Sequence, residues 1–277
     1  MKKVMLTSVA LAALISGPAF AADLARPVYK APPPPVEVWS WTGFYLGVNV
    51  GYSFGRTNTD ADVFDADSGA LLFAGNNNFN LNGVIGGGQI GFNWQNGIWV
   101  WGLEADIQGS GQKGSTAFDC PVSFCNFDAD TSPSNIAVAT VDQRLRWFGT
   151  ARARLGVTVA PTVLAYVTGG LAYGEVKTDL SLSGFTIGGA LAPIALASTT
   201  TTKAGWTAGG GIEARLGGNW TGKIEYLYMD LGTFDGSVTN PFTSNPTTFA
   251  FSSHVKDNIV RVGLNYKFGY GPVVANY

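Results

Sequence analysis

The sequence predicts an all-β chain that closes into an eight-stranded antiparallel up-and-down barrel, and three observations support this. Apolar residues recur at every second position in eight separate runs, which is the period of a β-strand with two unlike faces. The connections between these runs are alternately short and long. Glycine contributes 37 of the 277 residues and charged residues only 13%, against about 25% in an average soluble domain. A soluble helical protein is therefore disfavoured, because glycine weakens helix interiors.

The first four runs cover residues 44–54, 90–94, 99–107 and 145–157. In the first run the even-numbered residues are apolar, and in the third and fourth the apolar residues are odd-numbered. The second and third runs are joined by Asn96-Gly97, a dipeptide that favours a tight hairpin turn because both residues tolerate positive φ. We expect four strands here, each with one apolar and one polar face.

The last four runs cover residues 163–173, 206–216, 220–228 and 260–268, and the fifth alternates least regularly. Short connections again join neighbours, through Ala160-Pro161 and through Gly217-Gly218-Asn219. The remaining connections are long and polar, and they cover residues 55–81, 109–141, 175–202 and 232–256. Short turns on one side and long loops on the other are typical of an outer-membrane barrel with periplasmic turns and extracellular loops.

The polar faces of the runs carry charges that lipid would not accommodate, since each costs up to about 2–4 kcal/mol at the bilayer midplane. We therefore expect the apolar face outside and the charges in the lumen, the reverse of a soluble barrel. The predicted lumen residues are Glu104, Asp106, Arg144, Arg146, Arg152, Arg154, Glu213, Arg215, Lys223, Glu225, Arg261 and Lys267. Two interpretations stay open: a structural network of ion pairs, or a narrow, anion-preferring conductance. A wide porin lumen would need about 16 strands.

Tryptophan is concentrated near the ends of the runs, as in the aromatic girdles of membrane barrels. The sequence predicts one girdle at the short-turn end, formed by Trp41, Trp94, Trp99, Trp101 and Trp220. It predicts a second at the long-loop end, formed by Trp147 and Trp206.

The first residues have the features of a secretory signal peptide. Lys2 and Lys3 precede an apolar stretch, and Ala19-Phe20-Ala21 offers a cleavage site. We expect a signal peptide at 1–21, a proline-rich periplasmic lead-in at 22–40, the barrel at 41–268 and a short tail at 269–277. No later segment offers about 18 consecutive apolar residues, so no transmembrane helix is expected.

A few side chains suggest chemistry beyond the barrel itself. Cys120 and Cys125 share the second long connection, and an oxidising compartment favours a disulfide between them. The acidic segment around Asp65 and Asp67 predicts a solvated loop, with a calcium loop as the alternative. The single histidine, His254, follows two serines but no acidic partner is evident, so we expect no enzyme and no metal or other cofactor. The net charge of −2 gives no basic footprint for nucleic acid.

Four segments resemble a known family: Asp23-Leu24, Tyr29-Lys30-Ala31-Pro32-Pro33, Trp41-Thr42-Gly43-Phe44-Tyr45-Leu46-Gly47 and Val262-Gly263-Leu264-Asn265-Tyr266-Lys267-Phe268. The chain resembles the small outer-membrane β-barrel proteins of alphaproteobacteria, which are relatives of Brucella and Bartonella surface antigens and of the OmpA transmembrane domain. In the last segment Gly263, Tyr266 and Phe268 resemble the signal that the outer-membrane assembly machinery recognises, although the chain continues beyond Phe268.

This resemblance implies an integral protein of the Gram-negative outer membrane, a monomer in contact with outer-membrane lipid and lipopolysaccharide. The implied role is structural, in envelope integrity, with loops exposed at the cell surface. The alternatives are a surface binding protein, acting as an adhesin or binding haem or another extracellular ligand through its loops, and a narrow low-conductance pore.

Overall fold

The computed structural model describes residues 39–120, 137–185, 191–240 and 247–268, and these form one closed antiparallel barrel. Each strand pairs with its sequence neighbours, and the last pairs with the first. The strands are β1 (Gly43–Asp65), β2 (Leu71–Asn96), β3 (Trp99–Cys120), β4 (Ala137–Ala160), β5 (Val163–Phe185), β6 (Leu191–Gly217), β7 (Trp220–Asn240) and β8 (Thr247–Phe268). The predicted fold class is confirmed.

Within those ranges, no helix is long and apolar enough to cross a membrane.

The strands extend much further than the predicted runs, because the long connections consist largely of β-structure. Strands β1 and β2 stay paired from Gly43↔Asn93 to Phe64↔Leu71, so the predicted loop 55–81 is wrong. The hairpin closes at Asp65, whose Oδ1 accepts a hydrogen bond of 2.7 Å from the backbone N–H of Ser68. The period-two pattern continues here, but its outward residues are mostly Asn and Asp, which resemble loop residues in a sequence.

Each strand divides into two sections that differ in what faces outward. The proximal section lies at the short-turn end and presents an apolar exterior; Leu46, Val48 and Val50 are 52–63% exposed. On β1 this exterior extends from Phe44 to Phe54, about the length of a tilted membrane-spanning strand. The distal section comprises residues 56–65, 71–81, 113–120, 137–145, 176–185, 191–205, 231–240 and 247–256.

The distal section is split into two four-stranded sheets. Pairing between β2 and β3 stops at Asn82↔Lys113, and pairing between β6 and β7 stops at Trp206↔Asp230. Beyond these points β7, β8, β1 and β2 form one sheet, and β3 to β6 form the other. Asn77 bridges the first gap, because its Nδ2 donates to Thr116 Oγ1 at 2.7 Å.

The interior contains three apolar layers along the barrel axis. The short-turn layer consists of Trp41, Val100, Leu164 and Tyr166, with Trp39 against it. The middle layer consists of Leu81, Ile85, Leu145, Phe148, Ala172, Val176, Leu227, Met229, Leu231, Phe234, Val255 and Ile259. The distal layer fills the space between the two sheets with Ala61, Val63, Phe118, Ala139, Val141, Leu180, Phe249 and Phe251.

Candidate functional site

Eight charged side chains converge inside the proximal section, and we call them the ion cluster. They are Glu104, Asp106, Arg152, Arg154, Glu213, Lys223, Glu225 and Arg261, each at most 5% exposed. Strand register places them together, because Glu104 lies opposite Arg152 and Glu225 lies opposite Arg261. Four carboxylates and four cations give the cluster no formal net charge.

Arg152 is the centre of this cluster and contacts three carboxylates. Its Nη2 donates to Glu104 and, at 2.9 Å, to Asp106 Oδ2, while its Nη1 donates to Glu225 Oε1 at 3.2 Å. Arg261 repeats the arrangement from β8, with Nε 2.6 Å from Glu225 Oε2 and Nη2 3.0 Å from Asp106 Oδ2. Lys223 Nζ lies 3.0 Å from both carboxylate oxygens of Glu104.

Two buried tyrosines complete the cluster, and reasoning from the sequence missed both. Tyr45 donates its hydroxyl hydrogen to Glu104 Oε2 at 2.7 Å and accepts from Arg154 Nη1 at 2.8 Å. The Arg154 guanidinium lies 3.9 Å from the centre of the Tyr166 ring, and Tyr166 donates to Glu225 Oε1 at 2.9 Å. The signal was available, since odd-numbered residues of β1 face inward. Gly91 leaves room for the Tyr45 side chain, because a Cβ added to Gly91 would collide with the Tyr45 hydroxyl.

Neutral polar side chains extend from the cluster to the far wall of the lumen. Asn49 donates to Gln89 at 3.0 Å, Gln89 donates to Asn265 at 2.5 Å, and Asn265 donates to Glu213 at 2.9 Å. Because each residue comes from another strand, the network links strands that do not pair directly.

Asp257 is a further buried carboxylate, and its partners are neutral. Ser53 Oγ donates to Asp257 Oδ1 at 2.6 Å, and Gln112 Nε2 donates to the same carboxylate at 2.8 and 2.9 Å. The sequence did not single out these residues, because no charge of opposite sign stands at the matching strand positions.

Paired charges of this kind hold a structure in one arrangement. Removing an ion from water costs several kcal/mol, and only close partners offset that cost. Glu104, Arg152 and Arg261 have fully buried side chains with close partners on other strands. The arrangement therefore suits a filled, rigid lumen.

Two predicted lumen residues lie instead on the outer face. Strand β4 is irregular between Leu145 and Trp147 where it pairs with β5, which exchanges the faces of the residues beyond. Leu145 is consequently buried, and Arg144 and Arg146 are exposed. Arg146 Nη1 contacts Glu175 Oε1 at 3.1 Å on the outside. The lumen assignment of both arginines is therefore corrected.

Arg215 and Lys267 face inward but lie at the short-turn rim, away from the ion cluster. The Arg215 guanidinium is 4.6 Å and Lys267 Nζ is 4.5 Å from the centre of the Trp39 ring. Arg215 Nε donates to the carbonyl of Gly218 at 3.0 Å, and Lys267 donates to the carbonyl of Ser40. Both side chains therefore hold the residues just before β1 against the short-turn rim of the barrel.

Six of the seven girdle tryptophans lie on the outer face: Trp94, Trp99, Trp101, Trp147, Trp206 and Trp220. Trp147 packs edge-on against Tyr173, with ring centres 6.0 Å apart. Trp41 is different, because it is 2% exposed and its ring centre lies 5.8 Å from that of Trp39. Trp41 precedes β1 and packs inside the barrel with Val100 and Leu164, so the girdle assignment of Trp41 is wrong.

The residues that resemble an assembly signal lie on β8. Phe268 packs on Phe44 and on Tyr266, with ring centres 5.8 and 5.0 Å apart, whereas Gly263 leaves room for Gln89 and Lys223 inside. The signal peptide, residues 22–38 of the lead-in and the tail lie outside the described residues. So does Cys125, and the Cys120 side chain is likewise not described, which leaves the disulfide a prediction.

The remaining polar candidates of the sequence occupy ordinary structural positions. His254 has the acidic neighbour that the sequence did not reveal, with Nε2 3.0 Å from Asp230 Oδ1. Ser253 points into the barrel and bonds Thr59 at 2.7 Å, so it does not face that histidine. Asp65 binds its own turn, and hydrogen bonds from Ser68 hold the pKa of its carboxyl below the ordinary value.

Residues 7–268 match the family described as outer membrane protein beta-barrel domain. The chain belongs to this outer-membrane β-barrel family. It is 39% identical over 272 residues to the 31 kDa outer-membrane immunogenic protein of Brucella melitensis, covering 97% of this chain and all of the relative.

The chain is also similar to a second Brucella protein and to a solved outer-membrane structure. The chain is 28% identical over 275 residues to the 25 kDa outer-membrane immunogenic protein of Brucella abortus, covering 97% of this chain and 99% of the relative. The outer membrane protein OprG of Pseudomonas aeruginosa is a structural neighbour with a TM-score of 0.47 and 12% identity, covering 84% of this chain and 100% of OprG. The family and the Brucella relatives place the barrel in the outer membrane.

Proposed function

We propose that this outer-membrane barrel is a closed structural protein that contributes to envelope integrity and presents its distal section at the cell surface. The observation that carries the proposal is the ion cluster, which fills the proximal lumen between two apolar layers. The apolar exterior anchors the barrel in lipid, and the closed sheet pairs every strand within one chain. A single chain therefore satisfies its own backbone groups, which supports a monomer.

The interior argues against the narrow-pore alternative. An ion in transit needs a continuous polar path, and the middle layer blocks it with fully buried residues such as Leu145 and Phe148. At the other end Trp41 and Leu164 are equally buried. The guanidinium of Arg152 is already shared among three carboxylates, and a mobile anion would have to compete with them.

The orientation follows from the connections. The short turns and the chain entrance at Trp39 lie at the same end, so we assign that end to the periplasm and the distal section to the exterior. The predicted signal peptide and periplasmic lead-in are consistent with this assignment, as is the name of the Brucella relatives, which calls them immunogenic. A surface binding role is the second candidate, supported by the exposed distal section. Haem is not favoured as its ligand, because the Nε2 atom of His254 already contacts Asp230. We infer a non-enzymatic role.

Conductance of the refolded protein in a planar bilayer tests the closed barrel. We expect no stepwise current, together with a shift in gel mobility when the sample is heated. Stable current steps from the wild-type protein would show an open lumen, and a missing mobility shift would count against the barrel itself.

The non-enzymatic role has its own test in cells that make the protein. Their lipid A profile should be unaltered if the protein is not a lipid-modifying enzyme.

Labelling of intact cells with a membrane-impermeant amine reagent tests the orientation. We expect modification of Lys256, which is exposed in the distal section, while Lys267 at the short-turn rim stays unmodified until the cells are broken. The reverse pattern would invert the assignment.

A further inference from the structure

The outward-facing cations of the described residues all lie just beyond the girdle at the long-connection end. They are Arg56, Lys113, Arg144, Arg146, Lys177 and Lys256. The other cations of the described ranges face the lumen, the short-turn rim or, in the case of Lys203, the gap between β6 and β7. Outward carboxylates such as Asp60, Asp62 and Asp142 stand farther from the apolar exterior. Glu175 and Asp230 lie at the level of the cations, where they contact Arg146 and His254. Positive charge is thus sorted to one level of the barrel wall.

Within this level, three cations stand side by side on neighbouring strands. Lys113 on β3 lies directly opposite Arg144 on β4, and Arg144 lies directly opposite Lys177 on β5. Arg56 and Lys256 form a second such pair on β1 and β8. Like charges directly opposite one another destabilise a sheet. A row of three therefore indicates a site for an anion that bridges them.

The carboxylates near the row leave two of its members unpaired. Lys177 contacts Asp179 at 3.0 Å, and Glu175 is engaged by Arg146 at 3.1 Å. Asp142 lies opposite Asp179, on the side of the row away from the girdle. Among the described residues, neither Lys113 nor Arg144 forms an ion pair, so their charges are available to an external anion.

The level of the row matches the headgroup region of a bilayer. Arg144 is three residues beyond Trp147, and Lys177 is four beyond Tyr173, where these two aromatic residues pack together on the outer face. At about 3.3 Å per residue and a tilt of about 45°, this is about 7–9 Å along the membrane normal. Long basic side chains also reach back toward the interface.

We propose that Lys113, Arg144 and Lys177 bind the phosphate groups of the lipopolysaccharide headgroup in the outer leaflet. The assignment rests on the proposed orientation of the barrel, which puts this row at the outer surface. Arg144 is suited to a two-pronged contact with phosphate, and the flanking lysines supply further charge-assisted hydrogen bonds. The row thereby gives the structural barrel a defined lipid partner.

Binding of fluorescent diphosphoryl lipid A to the refolded full chain in neutral-lipid nanodiscs tests this site. Measurement in EDTA excludes bridging by divalent cations through Asp142 and Asp179. Each cation near an anionic headgroup is worth about a fivefold change in affinity, so replacing all three (K113Q, R144Q, K177Q) should weaken binding about 100-fold. The control K203Q removes one positive charge in the distal section, away from the row, as R144Q does within it, and should bind like the wild type.

Two comparisons on the wild-type chain need no variant. Lipid A stripped of its phosphates should bind at least tenfold more weakly than the diphosphoryl form, whereas phosphatidylglycerol should not compete at equal concentration. Equal binding by the triple variant, or equal competition by phosphatidylglycerol, would overturn the site and leave only general attraction of anions.

The heat-dependent gel shift of each variant reports separately on the barrel. A normal shift with unchanged binding refutes the lipid site while the proposed function stands. Should the triple variant fail to fold, R144Q alone, with an expected loss of about fivefold, gives the same test.

Discussion

The proximal and distal sections are built from the same strands, yet their polarity is opposite. In the proximal section the ion cluster lies inside and residues such as Leu46 and Val50 lie outside. In the distal section Val63, Phe118 and Phe249 lie inside, and Asn58 and Asp60 lie outside. On β1 the inversion occurs without any change of face, since odd-numbered residues point inward along the whole strand.

The difference shows that the medium around each section, lipid or water, decides whether polar or apolar side chains fill its interior. Lipid requires an apolar outer face, which leaves the polar residues of a two-faced strand to fill the lumen. Water permits the ordinary arrangement, in which apolar side chains are buried. Irregular pairing at Leu145/Trp147 on β4, at Gly109/Gln112 on β3 and at Asp230/Gly232 on β7 lies at the boundary between the two regimes.

The largest expected effect comes from breaking the proximal interior. Glu104→Gln leaves Arg152 and Lys223 buried without their main carboxylate, and breaking a buried ion pair costs about 3–5 kcal/mol. Urea unfolding of the protein in lipid vesicles, followed by tryptophan fluorescence, measures this loss. The matched change Glu175→Gln breaks the exposed contact with Arg146 and should cost about 0–1 kcal/mol. Equal losses for the two variants would mean that the ion cluster does not stabilise the barrel.

Breaking the distal interior should have a smaller and more local effect. Phe118→Ala removes a ring that packs on Phe249, with centres 6.5 Å apart, and we expect a cost of about 3 kcal/mol confined to the distal section. Hydrogen exchange should speed up in residues 113–120 and 137–145 while the heat-dependent gel shift persists. Leu196→Ala, at a position 74% exposed on β6, should change stability by about 0.5 kcal/mol or less. Loss of the gel shift in Phe118→Ala would show that the sections unfold together.

The bridge between the two distal sheets is a weaker link. Asn77→Ala removes the hydrogen bond to Thr116 and should cost about 1 kcal/mol, seen as faster hydrogen exchange at the facing edges of β2 and β3. Asn78→Ala alters the next residue, which faces outward, and should leave that exchange unchanged. If both variants behave alike, the two sheets are held together by the distal apolar layer alone.

The smallest effect concerns the turn after β1 and depends on pH. The folded-state pKa of Asp65 is lowered by hydrogen bonds from Ser68, so the charged carboxylate stabilises the turn above the ordinary aspartate pKa. That contribution is lost as the pH falls through the lowered folded value. Ser68→Ala should raise the pKa of Asp65 in an NMR titration, while Ser115→Ala on β3 should not move it. An unchanged pKa in Ser68→Ala would assign the shift to another cause.

The sequence predicted the inward position of Arg152 and Glu104 because strict alternation leaves only one face for each residue. Alternation could not predict the outward position of Arg144, since an irregularity of one residue reverses every side chain beyond it. Trp41 was misassigned although its odd number pointed inward, because tryptophans near strand ends were attributed to the girdle as a class. Tyr45 was missed because only its contacts with Glu104 and Arg154, which lie on other strands, reveal its role.

The sequence by itself determined the strand count and the sorting of charge away from lipid, since both depend on a local period of two, and its alternately short and long connections indicated the closed fold. The tertiary structure decided at which level of the barrel the interior changes from polar to apolar. Contacts across the lumen, such as those of Arg261 with Asp106, join residues 155 positions apart, and no local pattern specifies them. The splitting of the distal strands into two sheets likewise depends on which edges meet in space, which only the closed barrel determines.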